Sequence, residues 1–149
     1  MRQAFAAFLV VTAGFALAPV VYAQPSGDAN VARTLYREAQ NYRANGKVHL
    51  ALFEAGVTES GMRNLNYGDR DSIGVLQLRV SLWGYAQASS PSLSARWFLR
   101  EAIRIQSRYY SAGALAQAVE RSAFPDRYRQ NVRWAEAWLR FCGYGGWLP

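Results

Sequence analysis

Glu59 stands at the end of a stretch, Val48 to Glu59, that is apolar on almost every side through Leu50, Ala51, Leu52, Phe53, Ala55 and Val57. A carboxyl on such a stretch is expected to be partly desolvated, and desolvation disfavours the ionised form and raises a carboxyl pKa. A carboxylic acid kept protonated near neutral pH is what glycosidic bond cleavage needs, because the departing sugar oxygen must receive a proton. The plainer alternative is an ordinary polar residue at a helix end. Asp69 and Asp71 follow in a Gly-rich loop. Either could hold a water for an inverting hydrolase or support charge in a retaining one. Asp69 fits a side-chain-to-backbone turn better, which leaves Asp71 as the candidate second carboxylate. A calcium loop is a poor fit, since the ligand run is short and lacks a closing glutamate.

Other chemistries find few residues to use. His49 is the only histidine and Cys142 the only cysteine, so no zinc site of the usual kind is expected. His49 lies on the apolar stretch and reads as a core or boundary residue. A Ser-His-Asp hydrolase would have to use it, and no nucleophile-elbow pattern is present. Phosphate-binding glycine motifs are absent, and no metal or cofactor is expected. Trp97, Trp134 and Trp138 fall at helical spacing and are expected in the core. Trp83, beside Gly84 in a loop after Gln77, is the best placed to stack on a sugar, and Trp147 gives no indication. Cys142 allows no internal disulfide and is expected to be buried beside Trp138 and Phe141.

These residues need a scaffold, and the patterning supplies a mainly α one. Residues 24–29 read as a flexible lead-in. From Asn30, a plausible cap, Val31, Leu35, Ala39 and Tyr42 share one helical face. Asn45-Gly46 breaks that helix, and Val48 to Glu59 suits a buried central one. Ser60 to Ser72, with Gly61, Asn64, Asn66, Gly68, Asp69 and Asp71, is a loop. Ile73 to Val80 alternates weakly, which predicts a short strand or extended turn, and Tyr85 to Leu93 reads as a second polar loop. Pro91-Ser92 starts an amphipathic helix over Ser94 to Tyr110, and Ala112 to Ser122 is a short Ala-rich one. Pro125-Asp126 opens a last helix through Tyr128, Val132, Ala135, Trp138 and Leu139, ended by Gly143, Gly145 and Gly146.

The ends and the charge bound the setting. Arg2, the apolar run Ala4 to Val21 and the small residues of Val21-Tyr22-Ala23 read as a cleavable secretion signal over residues 1–23. A membrane anchor is the competing reading, set aside because of Pro19 and the cleavage pattern. The remaining residues, 30–149, suit one domain with a single core. The chain carries a formal charge of +7, with Lys47 its only lysine. Arg96, Arg100, Arg104 and Arg108 are dispersed along a helix, which fits either a solvated surface or attraction to a polyanion. For a secreted or periplasmic protein that polyanion is a bacterial wall or a membrane, not a nucleic acid.

The order Glu59-Ser60-Gly61, then Ser72-Ile73-Gly74-Val75-Leu76-Gln77, then the Ala-rich Leu115-Ala116-Gln117-Ala118-Val119 resembles the lytic transglycosylase and goose-type lysozyme families. The resemblance covers Val48 to Tyr128. Within it, the Asn64 to Gly74 loop and the Arg121 to Pro125 segment look closest to small secreted or phage-associated lysozyme-like domains. The resemblance implies a lysozyme-like helical domain with a small irregular or β insert after the catalytic helix, acting on peptidoglycan glycan strands. It implies Glu59 as the catalytic acid, Gly74 letting the chain pass close to the sugar, and Gln77 hydrogen-bonding near the cleaved linkage. Ser60, Tyr67, Ser72 and Trp83 join them as substrate-side residues. The families commonly place a Tyr-Asn pair where this chain has Val119-Glu120, and that tyrosine orients the glutamate. Here Tyr67 or Glu120 is expected to substitute, or activity is weaker. With one acid, Glu59 first protonates the leaving oxygen and then, as a base, helps the sugar's own 6-hydroxyl attack. A monomer without membrane insertion is expected. The rival readings are a non-catalytic wall-binding module of the same fold and a cationic membrane-active protein.

Overall fold

Gly27 is the first residue with a visible packing duty: a Cβ there would lie 2.7 Å from the Gly61 carbonyl oxygen and 2.8 Å from the Trp138 ring. The computed structural model describes residues 23–124 and 126–148. The expected secretion signal falls on residues 1–22, outside the described residues apart from Ala23, as do Pro125 and Pro149. Residues 24–29, expected as a flexible lead-in, are instead tied down, with the Asp28 amide donating to Met62 O at 3.0 Å.

Helix α1 (Ala29–Asn41) begins where the Asp28 carboxylate accepts the Asn30 and Val31 amides at 2.8 and 3.3 Å. Asp28 rather than Asn30 is therefore the cap, because Asn30 already sits inside the first turn. Helix α2 (Gly46–Ser60) is capped by Asn45, whose side chain accepts the Val48 amide at 3.0 Å. Every residue from Val48 to Gly56 is buried, the signature of a helix surrounded by others. Its end is an αL cap: Gly61 is left-handed at φ 62° and its amide bonds to Val57 O, while Met62 N reaches back to Gly56 O, both at 2.9 Å.

The insert that follows is small. Strands β1 (Ser72–Ile73) and β2 (Leu78–Arg79) pair antiparallel with Ser72 opposite Arg79, and Leu65 bridges Gly74. Then come two short helices, α3 (Val80–Trp83), beginning at the expected end of the extended segment, and α4 (Tyr85–Ser89), where a polar loop over Tyr85 to Leu93 was expected. The polar side chains of α4 face outward while Ala88 is fully buried, so one apolar residue anchors a segment too short to show a period. Helix α5 (Pro91–Ile105) starts at Pro91, capped by Ser90. Helix α6 (Ala112–Glu120) is capped by Ser111 and stopped by Arg121 at φ 54°.

The last helix, α7 (Val132–Phe141), starts later than the sequence suggested. Asp126 has φ 62°, and Arg129–Asn131 form a 3-10 turn, so residues 126–131 are not α-helical. The buried face of α7 is Ala135, Trp138 and Leu139. Trp134 lies off that face and is 55% exposed, against the expectation of a core residue. Cys142 is half-buried, and burial pushes its thiol up to about 11, which leaves it unreactive.

Helix α2 is the hub, packed on α6 and α7 and touching α1 and α5. Phe53, Phe98, Leu99, Leu115, Trp138 and Leu139 form the centre of one core. His49 is buried there with its ring against Tyr36 and Tyr144. The architecture is mainly α with a two-stranded insert after the central helix, as the sequence indicated.

Candidate functional site

Glu59 emerges from the last turn of α2 with its side chain only 13% exposed. The Tyr128 hydroxyl donates to Glu59 Oε1 at 2.6 Å. Two further contacts clamp the end of α2 to the same chain segment. Asn131 Nδ2 donates to Thr58 Oγ1 at 3.0 Å, and Arg127 reaches Thr58 O at 3.4 Å. The Arg127 guanidinium also lies 3.7 Å from Glu59 Oε1. Tyr128 is buried, and its phenol is held well above its usual pKa by burial, then by the nearby Glu120 and Glu59 carboxyls. It is therefore a neutral, fixed donor.

The tyrosine on Glu59 is thus neither Tyr67 nor a substitute at Glu120. The Tyr67 side chain is 67% exposed and only its backbone carbonyl is engaged, by Gln77 Nε2 at 3.2 Å. Glu120 sits at the end of α6 with Oε1 buried and unpartnered among the described residues. Burial first, and then the charge of Glu59, push its carboxyl well above the usual range, against the opposing pull of Arg127. Glu120 thus lies within the field of Glu59 and has no hydrogen-bond partner on Oε1 among the described residues.

A groove of about 250 Å³ is lined by Gln77, Arg79, Trp83, Trp97, Glu120 and Arg121, among others; Glu59 does not line it, and Glu120 is the lining residue whose carboxyl feels the Glu59 charge. It brings together three residues expected on the substrate side, Gln77, Trp83 and Glu120. Trp83 comes from α3 rather than a loop, with its ring 4.7 Å from that of Trp97. Trp97 is accordingly a groove wall as well as a partner of the core. An indole pair beside an open recess offers the flat apolar face on which a sugar ring can stack.

The rest of the expected substrate residues have other duties. Ser60 is buried, with Oγ 3.0 Å from Gly56 O and 2.9 Å from Val75 O while it accepts the Arg63 amide. Its hydroxyl joins α2 to the insert and is used up there. Ser72 is buried in β1, and its amide bonds to Asp69 O. Gly74 has φ 83°, and a Cβ there would collide with the Ala88 carbonyl. The close approach that Gly74 permits is therefore to α4, not to a sugar. Gln77 braces the insert as well as lining the groove, since Nε2 donates to Gly74 O at 3.0 Å.

Asp71 is committed to structure. It accepts the Ser81 amide at 2.6 Å and Arg79 Nε at 2.8 Å. Bonds from Ser81 and then Arg79 hold its carboxyl far below the usual carboxylate range. An aspartate whose oxygens already bind α3 and β2 is badly placed to hold a catalytic water. The arginines of α5 are also engaged. Arg96 pairs with Glu38 at 3.0 Å, Arg104 with Glu101 at 2.6 Å, and Arg100 faces the Tyr42 hydroxyl at 3.5 Å. No helix among the described residues is long and apolar enough to cross a membrane, and none of their His, Cys, Asp and Glu residues cluster as a metal site would require.

Tyr128 is the residue that sequence reasoning missed. It lies 69 positions from Glu59 and was assigned to the face of a helix. No local pattern marked it, because Asp126, at φ 62°, departs from the helical run and the partner of Tyr128 is distant in sequence. Compared with models of known protein families and with curated protein sequences, the chain finds no match.

Proposed function

We propose that this chain is a secreted enzyme that cleaves the β-1,4 linkages of peptidoglycan glycan strands, with Glu59 as general acid and then base. The observation that carries the reading is the 2.6 Å hydrogen bond from Tyr128 to Glu59 Oε1, on a carboxyl at the end of a buried helix. A group that transfers a proton must be held in one orientation, and a neutral donor fixed by burial does this without taking the proton itself. The groove that Glu120 lines is walled by Trp83 and Trp97, an indole pair on which a sugar ring can stack.

In the first step Glu59 gives its proton to the bridging oxygen as the C1–O bond breaks and positive charge builds on the ring. In the second, the Glu59 carboxylate removes a proton from the nucleophile that closes on C1. If the nucleophile is the sugar's own 6-hydroxyl, the product is an anhydro sugar; if it is water, a reducing end. Asp71, bound to Arg79 and Ser81, is not free to hold a water, and this favours the anhydro route. The basic surface, +7 overall, attracts the anionic wall.

One observation favours a second reading. Arg127 lies 3.7 Å from Glu59 Oε1, and a non-catalytic wall-binding module could keep such an ion pair. Release of soluble fragments from dye-labelled walls separates the two. The enzyme reading expects release by the protein and at least a hundredfold less by Glu59→Gln. Binding to walls without release by either would leave the module.

A further inference from the structure

A second recess, of about 390 Å³, opens between α2, α6 and α7, lined by Leu50, Tyr110, Val132 and Trp147 together with Glu54 and Gly113. It shares no lining residue with the Trp83–Glu120 groove. Glu54 is buried at its wall, and Oε2 has no hydrogen-bond partner among the described residues. A Cβ on Gly113 would lie 2.9 Å from Arg129 Cβ and 3.0 Å from that oxygen, so the glycine lets the Arg129 turn and the carboxyl both come close to α6. A carboxyl buried without a partner is unfavourable, and none of the Glu59 machinery touches this one.

The charged groups around it give the recess a sign. From α7, Glu136 faces Glu54; burial first and then the Glu136 charge push the Glu54 carboxyl up to about 7. Glu136 is itself shared with Arg140 at 3.5 Å. Arg129, from the turn before α7, lines the recess but is held by Asp126 at 3.4 Å. The start of α6 brings Ala112 and Gly113 and no charge. The carboxyl therefore sits in an uncompensated negative field with apolar walls.

We propose that this recess binds a small organic cation, an ammonium or amidinium on a compact apolar body, with Glu54 as counter-ion and Leu50, Val132 and Trp147 as walls. The cation takes the place of the Glu54 proton, which leaves to solvent on binding. The inference does not depend on the wall-cleaving reading, because the two sites share no residue.

Calorimetric titration of the full chain with benzylammonium, and with benzyl alcohol as its neutral counterpart, tests the proposal. Benzylammonium is expected to bind about tenfold more tightly at pH 8 than at pH 6, as the Glu54 proton is displaced more easily. Benzyl alcohol is expected to bind at least about tenfold more weakly at pH 8. Glu54→Gln should lose the preference for the cation while wall cleavage is unchanged. Should that variant misfold, Trp147→Ala removes an exposed wall residue and is expected to weaken benzylammonium severalfold. Equal binding of the two probes, no dependence on pH, an undiminished response in Glu54→Gln or Trp147→Ala, or no binding of benzylammonium would overturn the proposal.

Discussion

At the residue scale the account turns on what each carboxyl touches. Glu59 receives a buried phenol, Asp71 is spent on Arg79 and Ser81, and Glu120 is pushed up by burial with no partner on Oε1 among the described residues. Two expectations follow. Tyr128→Phe keeps the ring in the core and removes only the hydrogen bond, worth about 1.5–3 kcal/mol when one partner is charged. On a soluble glycan oligomer kcat should fall about 10- to 100-fold with KM changed less than about twofold. A purely structural role would instead lower the melting temperature and leave kcat intact. Asp71→Asn should loosen the turn between β2 and α3, seen as faster amide exchange at Ser81, yet keep cleavage within a fewfold. Loss of cleavage as deep as that of Glu59→Gln would return Asp71 to the chemistry.

At the scale of elements, the sequence told most where one period governed a long segment. Helix α2 was legible because it is apolar all round, α5 because Pro91-Ser92 marks the start of an amphipathic run, and α6 because it is Ala-rich. Helices α3 and α4 were not, since four or five residues hold no period and a single buried Ala88 decides the packing. The start of α7 was misplaced because the positive φ of Asp126 is a tertiary choice that no local pattern announces. The same limit hid Tyr128, whose partner is distant in sequence. Gly74 was singled out for the right physical reason, a backbone that must come close, but its neighbour is the Ala88 carbonyl. Gly74→Ala combines a left-handed φ of 83° with that collision. It is expected to detach α4 from the insert, a change visible as lost protection of the Gly74 and Ala88 amides. Unchanged protection would mean the insert can yield there.

The whole molecule carries a pH signature from its buried acids. Glu54 is raised to about 7, so its contribution is fully present below the ordinary carboxyl value near 4.5. It is lost as pH rises, because the unfolded chain ionises first and the folded one resists until about 7. The loss over that window is about 3 kcal/mol, which amounts to several degrees in melting temperature. Glu120 adds a loss of the same sign. Glu38 and Glu101, lowered first by their bonds to Arg96 and Arg104, act in the opposite sense and weaken the fold only as acid protonates them. Melting temperature should therefore fall between mildly acidic and mildly alkaline buffer. The fall should be smaller in Glu54→Gln, with Glu120 responsible for the remainder. An undiminished fall in that variant would place the titration elsewhere.

The central claim is that Glu59 moves a proton on a glycan linkage. Mass spectrometry of the soluble products released from purified peptidoglycan, by the protein and by Glu59→Gln in parallel, tests it most directly. Anhydro-muropeptides from the unmodified protein alone are the expected result. Equal amounts of product from the two proteins, or no product from either, would contradict it.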